Sequence, residues 1–139
     1  SLAFYRDGLG LRVAGESENW GTEQEHLNNV FGARLRITAL RAASGPGVEL
    51  LEYLAPRDGR PAPLDARASD LQHWHVRLVV GDLTSMQRAA RAGDLAWVSP
   101  VAGPLSGDEL GCAGGLRLRD PDGHVVELVQ ERGPKPAEQ

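Results

Sequence analysis

VELLEY (Val48–Tyr53) and VELVQE (Val126–Glu131) decide how this 139-residue chain is read. They put Glu49 in register with Glu127, and each closes one half of the chain. Both are short apolar runs with strand composition. Immediately before the second lies Asp120-Pro121-Asp122-Gly123, a strong turn signal, so Leu116–Arg119 and His124–Gln130 are expected to form a hairpin. Further back, His73–Val80 is β-rich, and Asp82 can cap a helix running to about Ala92, with Leu83, Met86 and Ala90 toward the core. Ala96–Ser99 is a short strand candidate, and Pro100–Gly114 reads as a loop.

The first half repeats this plan without its opening strand. Ser1–Gly8 has the spacing of a short amphipathic helix, with Leu2, Tyr5 and Leu9 on one side. Leu11–Ala14 is a strand candidate, and Gly15–Asn29 is polar and irregular. Ala33–Arg41 alternates as ARLRITALR, with Leu35, Ile37 and Ala39 opposite Arg34, Arg36 and Thr38. Ser44–Gly47 turns the chain into Val48–Leu54. The expected organisation is therefore a first βαβββ module over 1–54, a linker over 55–71 containing Pro56, Pro61 and Pro63, a second module over 72–131, and a frayed tail over 132–139. The fold class is α+β.

Composition narrows the function. Apolar residues make up 41% of the chain and no stretch is long and apolar enough for a membrane helix, so no membrane partner is expected. The net charge of −4 argues against a nucleic-acid surface. Cys112 is the lone cysteine, which rules out an internal disulfide or a cysteine-rich zinc site and makes a cytoplasmic setting the expectation.

FYRDGLGLRV near the start, HWHVRLVVGDL after the linker and LRDPDGHVVELVQ at the end, on this paired plan, resemble the vicinal-oxygen-chelate superfamily of glyoxalases, bleomycin-resistance proteins and dioxygenases. The resemblance covers Ser1 to about Gln130 and is specific to the superfamily, not to one activity. It implies two modules contributing strands to a cupped, partly open mixed β-barrel, with a small-molecule ligand inside and a homodimer as the common assembly. It also implies one divalent metal ion (Zn, Fe, Mn, Ni or Co), carried here by Glu49, His75 and Glu127, with Glu127 or Glu49 as the proton-moving base. The internal repeat puts the fourth ligand position roughly ten residues upstream of Ser1.

Strand alternation gives an independent reading of the same residues. Trp74, Val76, Leu78 and Val80 form an apolar face suited to a helix, which turns His73, His75, Arg77 and Val79 the other way. Val125, Glu127 and Val129 share one face of the last strand, as Glu49, Leu51 and Tyr53 do in its counterpart. A carboxylate among Val and Leu needs a partner. That partner is either a cation, for which one His and two Glu offer suitable donors, or a strand arginine such as Arg34, Arg36, Arg77 or Arg117.

Tyr53, Arg77 and His73 are the expected substrate-binding residues beside that set. Trp74 and Trp97 are expected in the core, His26 and His124 in surface or structural roles, and Arg34 and Arg36 as solvated charges. Gly111, Gly114 and Gly115 suggest a mobile loop over the ligand, and no glycine stretch fits a phosphate-binding motif.

Three functions follow from these readings. The first is a metal-dependent lyase or isomerase acting on a small molecule with vicinal oxygens. The second is a metal-free protein that binds or sequesters a drug or metabolite, in which Glu49 and Glu127 pair with arginines. The third is a ring-cleaving dioxygenase. The fold alone does not choose among them.

Overall fold

The computed structural model describes residues 1–63, 65–71, 73–93, 95–99 and 111–132. Their elements run α1 (Ala3–Gly8), β1 (Arg12–Trp20), α2 (Thr22–Asn28), β2 (Arg34–Arg41), β3 (Val48–Ala55), β4 (His75–Val79), α3 (Leu83–Ala92), β5 (Ala96–Trp97), β6 (Cys112–Arg119) and β7 (Val125–Glu131). The strands form two open sheets, one in each of two units, Ser1–Pro61 and Ala62–Gln139. Among the described residues no helix is long and apolar enough to cross a membrane.

In the first unit the sheet order is β1-β2-β3, antiparallel throughout. α1 is wound wider than an α-helix: the Leu9 amide donates to the Phe4 carbonyl, five residues back, at 3.0 Å. It buries Phe4 and Tyr5, whose rings meet edge to face at 5.0 Å. Leu11, Ala33, Leu35 and Leu40 are the other buried apolar side chains of this unit.

Two features depart from the sequence reading. β1 extends to Trp20 instead of stopping near Ala14, and residues 22–28 form helix α2. β1 is an edge strand, exposed along nearly its whole length, so RVAGESENW carries no burial pattern to reveal it. Backbone pairing with β2 and the ion pair of Glu18 with Arg34 at 2.7 Å hold it instead. α2 ends on Asn29, which takes the left-handed conformation at φ 52°.

The second unit is mixed, in the order β4-β7-β6-β5, with β4 parallel to β7 and the other pairs antiparallel. Parallel pairing needs a crossover, and α3 provides it. The Asp82 side chain caps α3 as expected, its Oδ1 accepting from the Thr84 amide at 2.9 Å and the Ser85 amide at 3.2 Å. α3 packs on β6 and β7 through Leu83 and Ala90. The apolar face beneath it consists of Val76, Val126 and Leu118 in one cross-strand row and Leu78, Leu128 and Leu116 in the next. Of these, Leu116, Leu118, Val126 and Leu128 are no more than 1% exposed.

The loop expected over Pro100–Gly114 lies partly outside the described residues. Its end is different: β6 begins at Cys112, so Gly114 and Gly115 are buried ladder positions opposite Gln130 and Val129, not a lid. The expected frayed tail lies outside the described residues apart from Arg132.

Candidate functional site

The face of the second sheet opposite α3 carries the candidate site residues of this unit. The register places Arg77, Glu127 and Arg117 side by side across β4, β7 and β6. One step along lie His75, Val125 and Arg119. Alternation therefore aims His75, Arg77 and Glu127 to one side.

Glu127 is 1% exposed, and both of its oxygens are taken. Arg77 Nε donates to Oε2 at 2.6 Å, while Arg117 Nε and Nη2 donate to Oε1 at 2.9 and 2.8 Å. His75 Nε2 stands 3.8 Å from Oε2. Burial alone pushes the Glu127 carboxyl pKa up, but the hydrogen bonds and charges of Arg77 and Arg117 outweigh it and hold the pKa below the ordinary carboxylate value.

This arrangement does not suit a divalent cation within the second unit. Two guanidiniums against one carboxylate leave a net positive charge. A metal ion at about 5 Å from each would meet repulsion on the order of 3 kcal/mol per charge pair at an effective dielectric near 20. No buried side-chain N or O among the described residues lacks a hydrogen-bond partner, so Glu127 holds no oxygen in reserve. Among the described residues, no three His, Cys, Asp or Glu side chains are grouped to hold a metal.

Glu49 and Tyr53 lie in the first unit, on β3, both exposed. Glu49 is the repeat counterpart of Glu127, yet its cross-strand neighbour on β2 is Ala39, where Glu127 has Arg117. The pairing with arginine expected of both glutamates is thus present at Glu127 and absent at Glu49 among the described residues. Arg34 and Arg36, read as solvated charges, are exposed but ion-paired: Arg34 with Glu18, and Arg36 with Glu52 at 3.0 Å.

Beside the arginine-clasped glutamate, the second unit has a half-open cavity of about 490 Å³. Its floor is His75, Val125, Arg117 and Arg119 from the sheet. His73 and Trp74, just ahead of β4, line it, as do Val98 after β5 and Gly123 and His124 from the β6–β7 turn. Part of the stretch read as a linker completes it: Ala62, Pro63, Ala66, Arg67 and Ala68. That strap lies close, since a Cβ on Gly123 would come 2.6 Å from the Cβ of Ala62.

Trp74, expected in the core, departs from its sequence assignment. Trp74 is 52% exposed and its ring lies against that of His124, centroids 4.7 Å apart and planes tilted by 37°. It precedes the first paired residue of β4, so the alternation used to place it in the core does not yet apply. His124 is held by Asp120, a buried carboxylate that accepts from the His124 amide at 2.8 Å, the Asp122 amide at 2.9 Å and the His124 ring at 3.2 Å. The turn signal was visible, but its role in presenting an imidazole to a cavity was not. Trp97 is half-buried, with the Arg91 guanidinium 5.7 Å from its ring. Arg119 was not singled out from the sequence, although LRLR before a tight hairpin puts Arg117 and Arg119 on the face of Glu127. His73 and His75 lie together, ring centroids 5.8 Å apart.

No family model matches the sequence, and no curated protein matches it either. Solved structures do. A glyoxalase family protein from Bacillus cereus superposes with a TM-score of 0.70 at 20% identity, over 91% of this chain and 82% of that one. This is the vicinal-oxygen-chelate fold. A glyoxalase/dioxygenase from Nostoc punctiforme has the same fold, with a TM-score of 0.62 at 15% identity over 96% of this chain and 82% of that one. The trypanothione-dependent glyoxalase I of Leishmania major follows with a TM-score of 0.54 at 18% identity, over 94% and 76%. The paired modules of the glyoxalase fold explain why VELLEY and VELVQE occupy corresponding strands, β3 and β7.

Proposed function

We propose that this chain is a small-molecule-binding protein of the vicinal-oxygen-chelate fold that holds its ligand in the cavity of the second unit through side chains, not through a metal ion at Glu127. One observation carries the reading: Glu127 is bracketed by Arg77 at 2.6 Å and Arg117 at 2.8 Å. Each guanidinium gives it a charge-assisted hydrogen bond, and removing either from a buried carboxylate is costly. In this role Glu127 sets the arginines and does not move protons. His73 and His75 line the cavity, and Arg77 acts through Glu127.

A second reading, the metal-dependent lyase or isomerase, draws support from the placement of His75 and Glu127 on one face, 3.8 Å apart. It requires Glu127 to exchange guanidiniums for a cation. Elemental analysis of protein purified without chelator separates the two. Less than about 0.1 divalent ion per chain, with ligand-dependent thermal stabilisation unchanged by EDTA, supports side-chain binding. About one ion per chain, lost together in His75→Ala and Glu127→Gln, overturns it.

A further inference from the structure

We propose that the cavity of the second unit selects an organic anion: a carboxylate or phosphate monoester carried on a flat aromatic body. The inference rests on the side-chain-binding reading above and goes on to name the ligand class.

Charge is the first ground. Three arginines, Arg67, Arg117 and Arg119, and three histidines line the cavity, and none of the described lining residues is acidic. The chain as a whole carries a net charge of −4, so this concentration of arginines runs against its composition. Among the described residues, two buried carboxylates stand behind the wall: Glu127 is opposed by the guanidiniums of Arg77 and Arg117, and Asp120 is bonded to the His124 ring, so four guanidiniums in and beside the cavity outnumber them. Arg67 has no side-chain partner among the described residues and stands on the strap. Arg119 commits Nη1 to the Gly123 carbonyl at 2.9 Å, which fixes its fork at the cavity wall. Fixed guanidinium donors on a concave wall recognise carboxylate and phosphate oxygens.

The shape of the remaining wall supplies the second ground. Trp74 leans on His124 yet remains 52% exposed. Alanines 62, 66 and 68, Pro63, Val98 and Val125 complete an apolar surround. A large aromatic left half in water, at the wall of a half-open cavity of about 490 Å³, suits a stacked planar group. The anion then faces the arginines while the ring covers the indole.

Isothermal titration of the full chain, treated with chelator, tests this with 2-naphthoate, 2-naphthyl phosphate and the uncharged isostere 2-naphthamide. At least one anion should bind about 10-fold or more tighter than the amide. Whichever anion binds tighter identifies the headgroup. Arg67→Gln should weaken the anions by about 5-fold or more and leave the amide unchanged, while Trp74→Ala should weaken all three. Both residues are exposed, and matching circular-dichroism melts establish that the variants fold. Arg12→Gln, which changes charge outside the cavity, should change nothing. Equal affinity for anion and amide, with the Trp74→Ala loss retained, overturns the anion inference and leaves the side-chain-binding reading standing. Binding that appears only after Zn²⁺ or Ni²⁺ is added overturns both.

Discussion

Arg117 stands directly across the β6–β7 ladder from Glu127 and gives Oε1 two hydrogen bonds, at 2.9 Å from Nε and 2.8 Å from Nη2. Arg77, across the parallel β4–β7 pair, takes the other oxygen. Glu127 thus lies between two guanidiniums.

Glu127→Gln should lower stability by about 1–3 kcal/mol, read from urea unfolding. The figure sits below that for a fully buried pair because both guanidiniums are partly exposed and regain water. Combining Glu127→Gln with Arg117→Gln should cost less than the sum of the single changes, since the second removes a charge the first has orphaned. Strict additivity would show that the pair is energetically silent.

The same pair makes stability depend on acid pH. The Glu127 pKa is depressed in the folded chain, so its contribution is complete above the unfolded glutamate value and is lost as pH falls through the lower folded value. Unfolding free energy should therefore decline more steeply below about pH 4 in the wild type than in Glu127→Gln. Parallel curves would count against the ion pair.

Asp120 is 6% exposed and ties the β6–β7 turn to the His124 ring. Asp120→Ala should destabilise the chain by about 1–3 kcal/mol, because two backbone amides lose their acceptor. It should also weaken ligands that stack on Trp74, since His124 backs that ring. Thermal melts and titration of the same preparation separate the two effects.

Gly123 adopts φ +93° and lies against the strap, so Gly123→Ala meets both a disfavoured backbone and the Ala62 side chain. A loss of about 1–3 kcal/mol is expected. Ala62→Gly in the same chain should recover the steric part and leave the backbone part, which a double-mutant comparison of unfolding midpoints resolves.

Much of the architecture was legible in one dimension. A strand turns alternate side chains to opposite faces whatever surrounds it, so the apolar face of Val76 and Leu78 and the polar face of His75 and Arg77 follow from spacing alone. The Asp82 cap and the Asp120–Gly123 turn are local hydrogen-bond patterns and were equally visible. β1 was not: an exposed edge strand has no buried face to write into its sequence, and only pairing with β2 makes it a strand.

The VEL repeat shows the boundary most clearly. Sequence alone determined that Glu49 and Glu127 occupy equivalent strand positions. What they do was decided by their neighbours, Ala39 in one sheet and Arg117 with Arg77 in the other. A cross-strand partner is set by turn length, register and, for Arg77, a crossover spanning half the second unit. The strap over Gly123 and the exposed face of Trp74 arise in the same way, from segments distant in sequence brought into contact. Periodicity is a property of the backbone and reads locally. The charge around a buried carboxylate is a sum over space, and only the tertiary structure supplies its terms.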